Sequence, residues 1–199
     1  MMTNTDLDYS IARKAMIDSQ LRTSGINTES VLARMAVVPR EDFVPADQRA
    51  LAYMDRSVPL GEDRFLSSPV VHGMMLTEAN PAESDKVLVV SNGSDYFAEL
   101  IGPMVSKVQS ISADEATSAS KAKGPFSLIV VEGAIEALPA SLSKRLEEDG
   151  RIVTGIVERG VTRLAIGRKV AGEVTLRAVA DIGIPVLTAF NQPKSWSFA

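Results

Sequence analysis

Four consecutive aliphatic residues, Val87-Leu88-Val89-Val90, run straight into the small polar stretch Ser91-Asn92-Gly93-Ser94-Asp95, and this junction restricts the fold more than any other feature. A run of branched aliphatic side chains has no polar face to show to water. As a strand it must be covered on both sides, which is the situation of a strand in a parallel sheet. Beyond the polar stretch, Tyr96, Phe97, Leu100 and Ile101 recur at helical spacing. Strand, tight turn and helix form the unit that builds nucleotide-type sites in α/β proteins, with the ligand at the carboxyl end of the strand.

The pattern around this unit agrees with it. Tyr9 to Thr23 reads as an amphipathic helix ended by Ser24-Gly25, and Thr28 to Val37 as a second, with Asn27 as its N-cap and Val31, Leu32 and Met35 facing inward. The prolines of Val38-Pro39-Arg40-Glu41-Asp42-Phe43-Val44-Pro45 force an extended or turning path. A short helix is expected at Asp47 to Ala52, a loop at 53–69, and a helix from Pro69 to Ala79 that Asn80-Pro81 ends. Lys107 to Ile111 and Phe126 to Val131 read as further strands, the latter ending at Glu132-Gly133-Ala134, where Glu132 is either a site residue at the carboxyl edge of the sheet or part of a solvated turn. Leu138 to Leu146 reads as a helix, Arg151 to Val157 as a strand, and the alternating runs at 163–167 and 173–179 as an antiparallel hairpin turning at Gly172. Val186 to Phe190 is a candidate last strand, and Trp196 is expected to pack back on the sheet, the alternative being an exposed aromatic for a partner. Alternating strands and helices behind a helical start predict a three-layer α/β sheet.

Composition narrows the function. A net charge of -4 and a pI near 5.1 give no electrostatic case for nucleic acid. The absence of cysteine excludes disulfides, thiolate zinc sites and a cysteine nucleophile, and fits a cytoplasmic location. No apolar run approaches the roughly 20 residues of a membrane helix, and MMTNTDLDYS has neither the basic region nor the apolar core of a signal peptide. His72 is the one histidine, so serine–histidine catalysis and histidine metal clusters have little to build on. Its apolar helical setting predicts a partly buried structural role. Met74, Met75 and Met104 read as core or gap fillers.

Several strings, taken in order, resemble the protein-L-isoaspartate O-methyltransferase family. They are Asp18-Ser19-Gln20-Leu21-Arg22 with Gly25-Ile26, then Val38-Pro39-Arg40-Glu41-Asp42-Phe43-Val44-Pro45, Ala52-Tyr53-Met54-Asp55, Pro59-Leu60-Gly61, Phe65-Leu66-Ser67-Ser68-Pro69 and Pro125-Phe126. The resemblance implies a class I methyltransferase-like (Rossmann-like) α/β fold. Its expected form is a mostly parallel sheet with an antiparallel C-terminal hairpin, an N-terminal helical extension and one trimmed sheet edge. It implies a single domain over 1–199, made of a helical and loop region at 8–80 and a sheet region at 85–199. It also implies S-adenosylmethionine as cofactor and the carboxyl of an isomerised aspartate in a protein or peptide as acceptor.

The same resemblance implies Ser67 as the substrate or catalytic contact, and Asn92, Gly93, Ser94 and Ser112 as what remains of the cofactor site. The family's acidic residue and glycine run at the turn become Val89, Ser91, Gly93 and Asp95 here, so only the middle glycine is kept. Asp95 is expected to place a carboxylate beside the cofactor's own, and two like charges about 4 Å apart at an effective dielectric near 20 repel by roughly 4 kcal/mol. Ser112 stands where an acid holds the ribose, with Asp114 or Glu115 as substitutes out of register. Glu62-Asp63-Arg64 adds negative charge where a carboxylate substrate approaches. Ala113 to Gly124, twelve residues, leaves no room for the family's additional edge strand. The expectation is a degenerate cofactor site with weak or absent binding and little or no activity. The alternative is a non-catalytic protein-interaction or regulatory module, a pseudoenzyme that dimerises through the bared second-strand edge.

Overall fold

The computed structural model describes residues 4–118 and 124–192. Trp196 and part of the crossover after Thr117 lie outside them. In chain order the helices are α1 (Asn4–Met16), α2 (Glu29–Val37), α3 (Pro69–Ala79), α4 (Tyr96–Ile101), α5 (Ala113–Thr117) and α6 (Ala140–Ser143). The strands are β1 (Val58–Gly61), β2 (Arg64–Leu66), β3 (Lys86–Ser91), β4 (Lys107–Ser112), β5 (Phe126–Ile135), β6 (Leu146–Glu158), β7 (Val161–Val170) and β8 (Glu173–Asp181). A six-stranded sheet runs β4-β3-β5-β6-β7-β8, parallel from β4 to β6 and antiparallel from β6 to β8. This is the expected mixed sheet, with β4 at one edge among the described residues.

The aliphatic run of β3 explains why the sheet is covered twice. Val87 and Val89 join Leu128 and Val130 in a core roofed by Met16, Leu21, Val31, Met35 and α3. Leu88 and Val90 join Ile129 and Val131 in a second core with Ala116, Leu142, Leu187 and Phe190. All four β3 side chains are excluded from solvent, and each contributes about 1.5–3 kcal/mol of burial. The N-terminal helices are therefore one cover of the sheet. Asp85 ties them to it: its carboxylate accepts from Arg151, Ala82 N and Ser127 Oγ, while Arg151 also donates to the carbonyls of Ala79 and Asn80 at the end of α3.

Several local expectations change. α1 starts before Tyr9 and opens after Met16 into a wide turn, Ile17–Leu21, then a tight one that Gly25 ends at φ 84°. Thr28 rather than Asn27 precedes α2, and the short helix near Asp47 is a 3-10 turn, Ala46–Leu51. The 53–69 loop contains a hairpin, β1–β2, because Glu62 and Asp63 both take left-handed backbone (φ 53° and 57°). That is the geometry of a two-residue turn matched to strand twist. The helix expected at Leu138–Leu146 shrinks to α6, and β6 starts at Leu146 instead. Val186 makes only an isolated bridge to Ala134 before a 3-10 turn, Thr188–Phe190.

Glu132 is the largest correction. β5 does not end before it but continues to Ile135, with an irregular stretch between Val130 and Ala134 opposite Val153 and Gly155 of β6. Glu132 lies inside this stretch and is 3% exposed, so it is no solvated turn.

Candidate functional site

The chain leaves β3, crosses through α4 to β4 on one side, then returns to β5 on the other. The carboxyl ends of β3 and β5 thus flank the point where strand order reverses, the usual ligand crevice of open α/β sheets. Beside it, at the carboxyl ends of β3 and β4, lies a cleft of about 360 Å³, within the range of small-molecule sites. Its walls come from the β1–β2 turn (Glu62, Asp63, Arg64), the β3 turn (Ser91, Asn92, Gly93), the β4 end (Ser112, Ala113, Asp114) and 186–189.

Three of the five expected site residues meet in this cleft, and two do not. Asn92, Gly93 and Ser112 line it. Gly93 has φ 91°, and a Cβ there would stand 2.8 Å from Arg64 Cδ, so the position requires glycine for both conformation and space. Asn92 is buried, and its amide Nδ2 finds no hydrogen-bond partner. Ser112 caps α5: its hydroxyl accepts from Glu115 N while the Glu115 carboxylate accepts from Ser112 N. Glu115 is thereby committed to the cap, and of these two acids Asp114 is the one on the cleft wall. Ser94 instead accepts from Tyr96 N and lines a shallower depression beside Pro45 and Leu60. Ser67 is 1% exposed and lines neither recess; its carbonyl accepts from Arg40, and its hydroxyl has no partner.

Asp95 departs from expectation. Its carboxylate accepts from Ser110 Oγ of β4 at 2.8 Å and does not line the cleft. The repulsion foreseen for a cofactor carboxylate is therefore not built into the cleft wall. The β4 hydroxyl draws the side chain aside, a pairing that exists only once β4 lies beside β3.

Behind the cleft is a buried polar network that the sequence did not announce. The Arg40 guanidinium, wholly buried, donates to Ala52 O, His72 Nδ1 and Ser67 O, and lies over the Tyr96 ring. His72 Nε2 is 3.1 Å from Glu132 Oε1. Arginine can only donate, so His72 Nδ1 must accept and the ring proton sits on Nε2, facing Glu132. Burial, with Arg40 beside it, holds the His72 pKa well below the ordinary value. Burial also pushes the Glu132 carboxyl well above its ordinary range, Asp95 adding to this and Arg40 opposing it. The histidine is structural, as expected, but fully rather than partly buried. The signal available in the sequence was the pairing of one polar residue in α3 with one in β5, each amid apolar neighbours.

An orphaned buried donor at Asn92, a positive-φ glycine and a cleft of suitable size all fit a small polar molecule such as the expected cofactor. Among the described residues no cluster of His, Asp or Glu is arranged to hold a metal ion, and no helix is long and apolar enough to cross a membrane.

The mixed sheet with its crevice at the strand-order reversal has the architecture of the α/β methyltransferases. A crystal structure of a Plasmodium falciparum protein assigned as a protein-L-isoaspartate O-methyltransferase, in complex with S-adenosyl-L-homocysteine, superposes with a TM-score of 0.69 over 91% of this chain and 98% of that one, at 18% identity. In sequence, the protein-L-isoaspartate O-methyltransferases of Roseiflexus castenholzii and Koribacter versatilis are each 31% identical, covering 88% and 91% of this chain and 91% and 93% of their own. The profile of the protein-L-isoaspartate(D-aspartate) O-methyltransferase family matches residues 12–118, just over half the chain. The chain belongs to that family. Its members use S-adenosylmethionine and methylate protein substrates.

Proposed function

We propose that this chain is a protein carboxyl methyltransferase of the isoaspartyl type that uses S-adenosylmethionine through a degenerate site and turns over slowly. The cleft at the ends of β3 and β4, with the unpartnered Asn92 amide on its wall, carries the reading. The cofactor, when bound, supplies an electrophilic methyl group to a carboxylate oxygen of the acceptor. The chain's own part is positional. Arg64, packed on Gly93, bounds the ligand's approach to the backbone turn, and Asn92 and Asp114 would meet its polar groups from the cleft wall. Low turnover follows from two features: Ser112 is held in the α5 cap, and Ser67 is buried out of the cleft.

These last two features also favour the second reading, a non-catalytic binding protein on the same fold. One experiment separates the two. Calorimetry with S-adenosylmethionine and S-adenosylhomocysteine is run beside transfer of labelled methyl groups to an isoaspartyl peptide. Measurable cofactor binding, with transfer orders of magnitude slower than by an ordinary family member, is the expected outcome. Binding with no transfer at saturating peptide leaves the binding protein. No heat from either nucleoside removes the cofactor site altogether.

A further inference from the structure

Arg64 occupies an unusual position on the cleft wall. Its aliphatic stem packs on the Gly93 turn, with Cδ and Cβ 2.8 and 3.0 Å from where a Cβ of residue 93 would stand. Among the described residues lining the cleft its guanidinium is the one cationic group, where Glu62, Asp63 and Asp114 are anionic. It is held there weakly. Nη2 donates to Glu62 Oε2 at 2.8 Å across the β1–β2 turn, but that carboxylate is 83% exposed, and Nε reaches Gly61 O only at 3.4 Å. An exposed pair of this kind contributes little. Among the described residues Nη1 makes no hydrogen bond. Close by, and independent of it, Asn92 lines the same cleft, and its amide Nδ2 is buried there without a hydrogen-bond partner. A loosely held cation and a buried amide without a partner thus flank the glycine at the end of β3.

We propose that Arg64 and Asn92 form a carboxylate-holding pair that selects the amino-acid end of the ligand, taking over the role that the lost glycines leave open. This rests on the cofactor reading above and deepens it: Arg64 is a specificity-determining residue of the same cleft. An incoming carboxylate exchanges with Glu62 for the guanidinium, which gains a charge-assisted bond in a more enclosed setting. Asp63 and Asp114, with no ion-pair partner among the described residues, face the cationic sulfonium and ammonium groups. An amino-acid sulfonium, carrying both signs of charge, matches this wall better than a neutral nucleoside.

The test uses S-adenosylmethionine and its decarboxylated form, which keeps the sulfonium and the ammonium and lacks only the carboxylate. Calorimetry measures both against the parent, Arg64→Gln and Arg64→Lys. The parent is expected to prefer S-adenosylmethionine by tenfold or more. Arg64→Gln should lose that preference while binding the decarboxylated form as the parent does, and Arg64→Lys should keep part of it. Equal preference in parent and Arg64→Gln overturns the assignment and leaves the cofactor reading standing. So does tighter S-adenosylmethionine binding by Arg64→Gln, which would make Arg64 an obstruction. If neither compound binds the parent at millimolar concentration, the cofactor reading falls and this pair falls with it. The Arg64 side chain is 48% exposed at the start of a short strand, so unchanged thermal unfolding is expected of both variants.

Discussion

Glu132 and His72 are each costly to bury alone, and together they satisfy one another only in part. His72 is bonded at both ring nitrogens, while Glu132 Oε2 is left without a partner. Their pKa shifts act on stability in opposite directions. Above about 4.5 the unfolded chain releases the Glu132 proton and the folded chain retains it, so stability falls as pH rises toward the raised folded value. Below about 6.5 the unfolded chain protonates His72 and the folded chain does not, so stability falls as pH falls. Glu132→Gln removes the first effect and keeps an amide of the same shape. Its stability relative to the parent should rise with pH above 4.5, by up to about 1.4 kcal/mol per pH unit until the folded value is passed. Urea unfolding midpoints at pH 5 and 8 measure it, and an unchanged difference between the two would show that Glu132 is ionised in the fold.

At the scale of elements, the irregular stretch of β5 decides where Glu132 points. Four residue steps from Val130 to Ala134 match two from Val153 to Gly155 on β6. Extra chain of this kind bends a strand and re-aims side chains. Two glycines make room for it. A Cβ on Gly155 would meet the Ala134 Cα at 2.8 Å and its N at 3.0 Å, and one on Gly133 would meet the Leu187 side chain at 2.4 Å. Leu187 is a side chain and can shift, but the Ala134 backbone is held by bonds to Pro185 and Leu187. Gly155→Ala should therefore destabilise the protein by about 1–3 kcal/mol, read as a lower urea midpoint at unchanged slope. A neutral result would mean that β5 and β6 separate more easily than their pairing implies.

At the scale of the whole molecule, the N-terminal cover is tied to the sheet at Asp85. Its carboxylate, 6% exposed, joins the start of β3, the start of β5, the N-terminal end of the parallel part of β6 and, through Arg151, the last carbonyls of α3. Its pKa is depressed: burial alone would raise it, but bonds from Arg151, Ala82 N and Ser127 outweigh that. Stability from this group is present above about 3.8 and is lost as pH falls through the lower folded value. Asp85→Asn should cost about 2–4 kcal/mol at pH 7 by leaving Arg151 without its carboxylate. The gap between variant and parent should close on acidification below pH 3.8, and a gap that persists at pH 2 would locate the loss elsewhere.

By itself the sequence determined what depends on local pattern. The β3–turn–α4 unit, α3 from Pro69 to Ala79 and the β7–β8 hairpin follow from apolar runs, periodicity and turn residues, and Gly93 as the kept glycine follows from the motif. The family itself was legible because its strings survive in order. What only the tertiary structure decided are the properties that need two distant segments at once. Asp95 turns to Ser110, Glu62 and Asp63 close a hairpin that lays Arg64 on Gly93, and Ser112 becomes a cap. A side chain's direction is set by the partner that satisfies it, and those partners lie on strands that meet only in the assembled sheet. Glu132 shows the same rule most clearly. As one residue after a strand it reads as a turn, and only the bulge against β6, with His72 arriving from α3, makes it a buried acid.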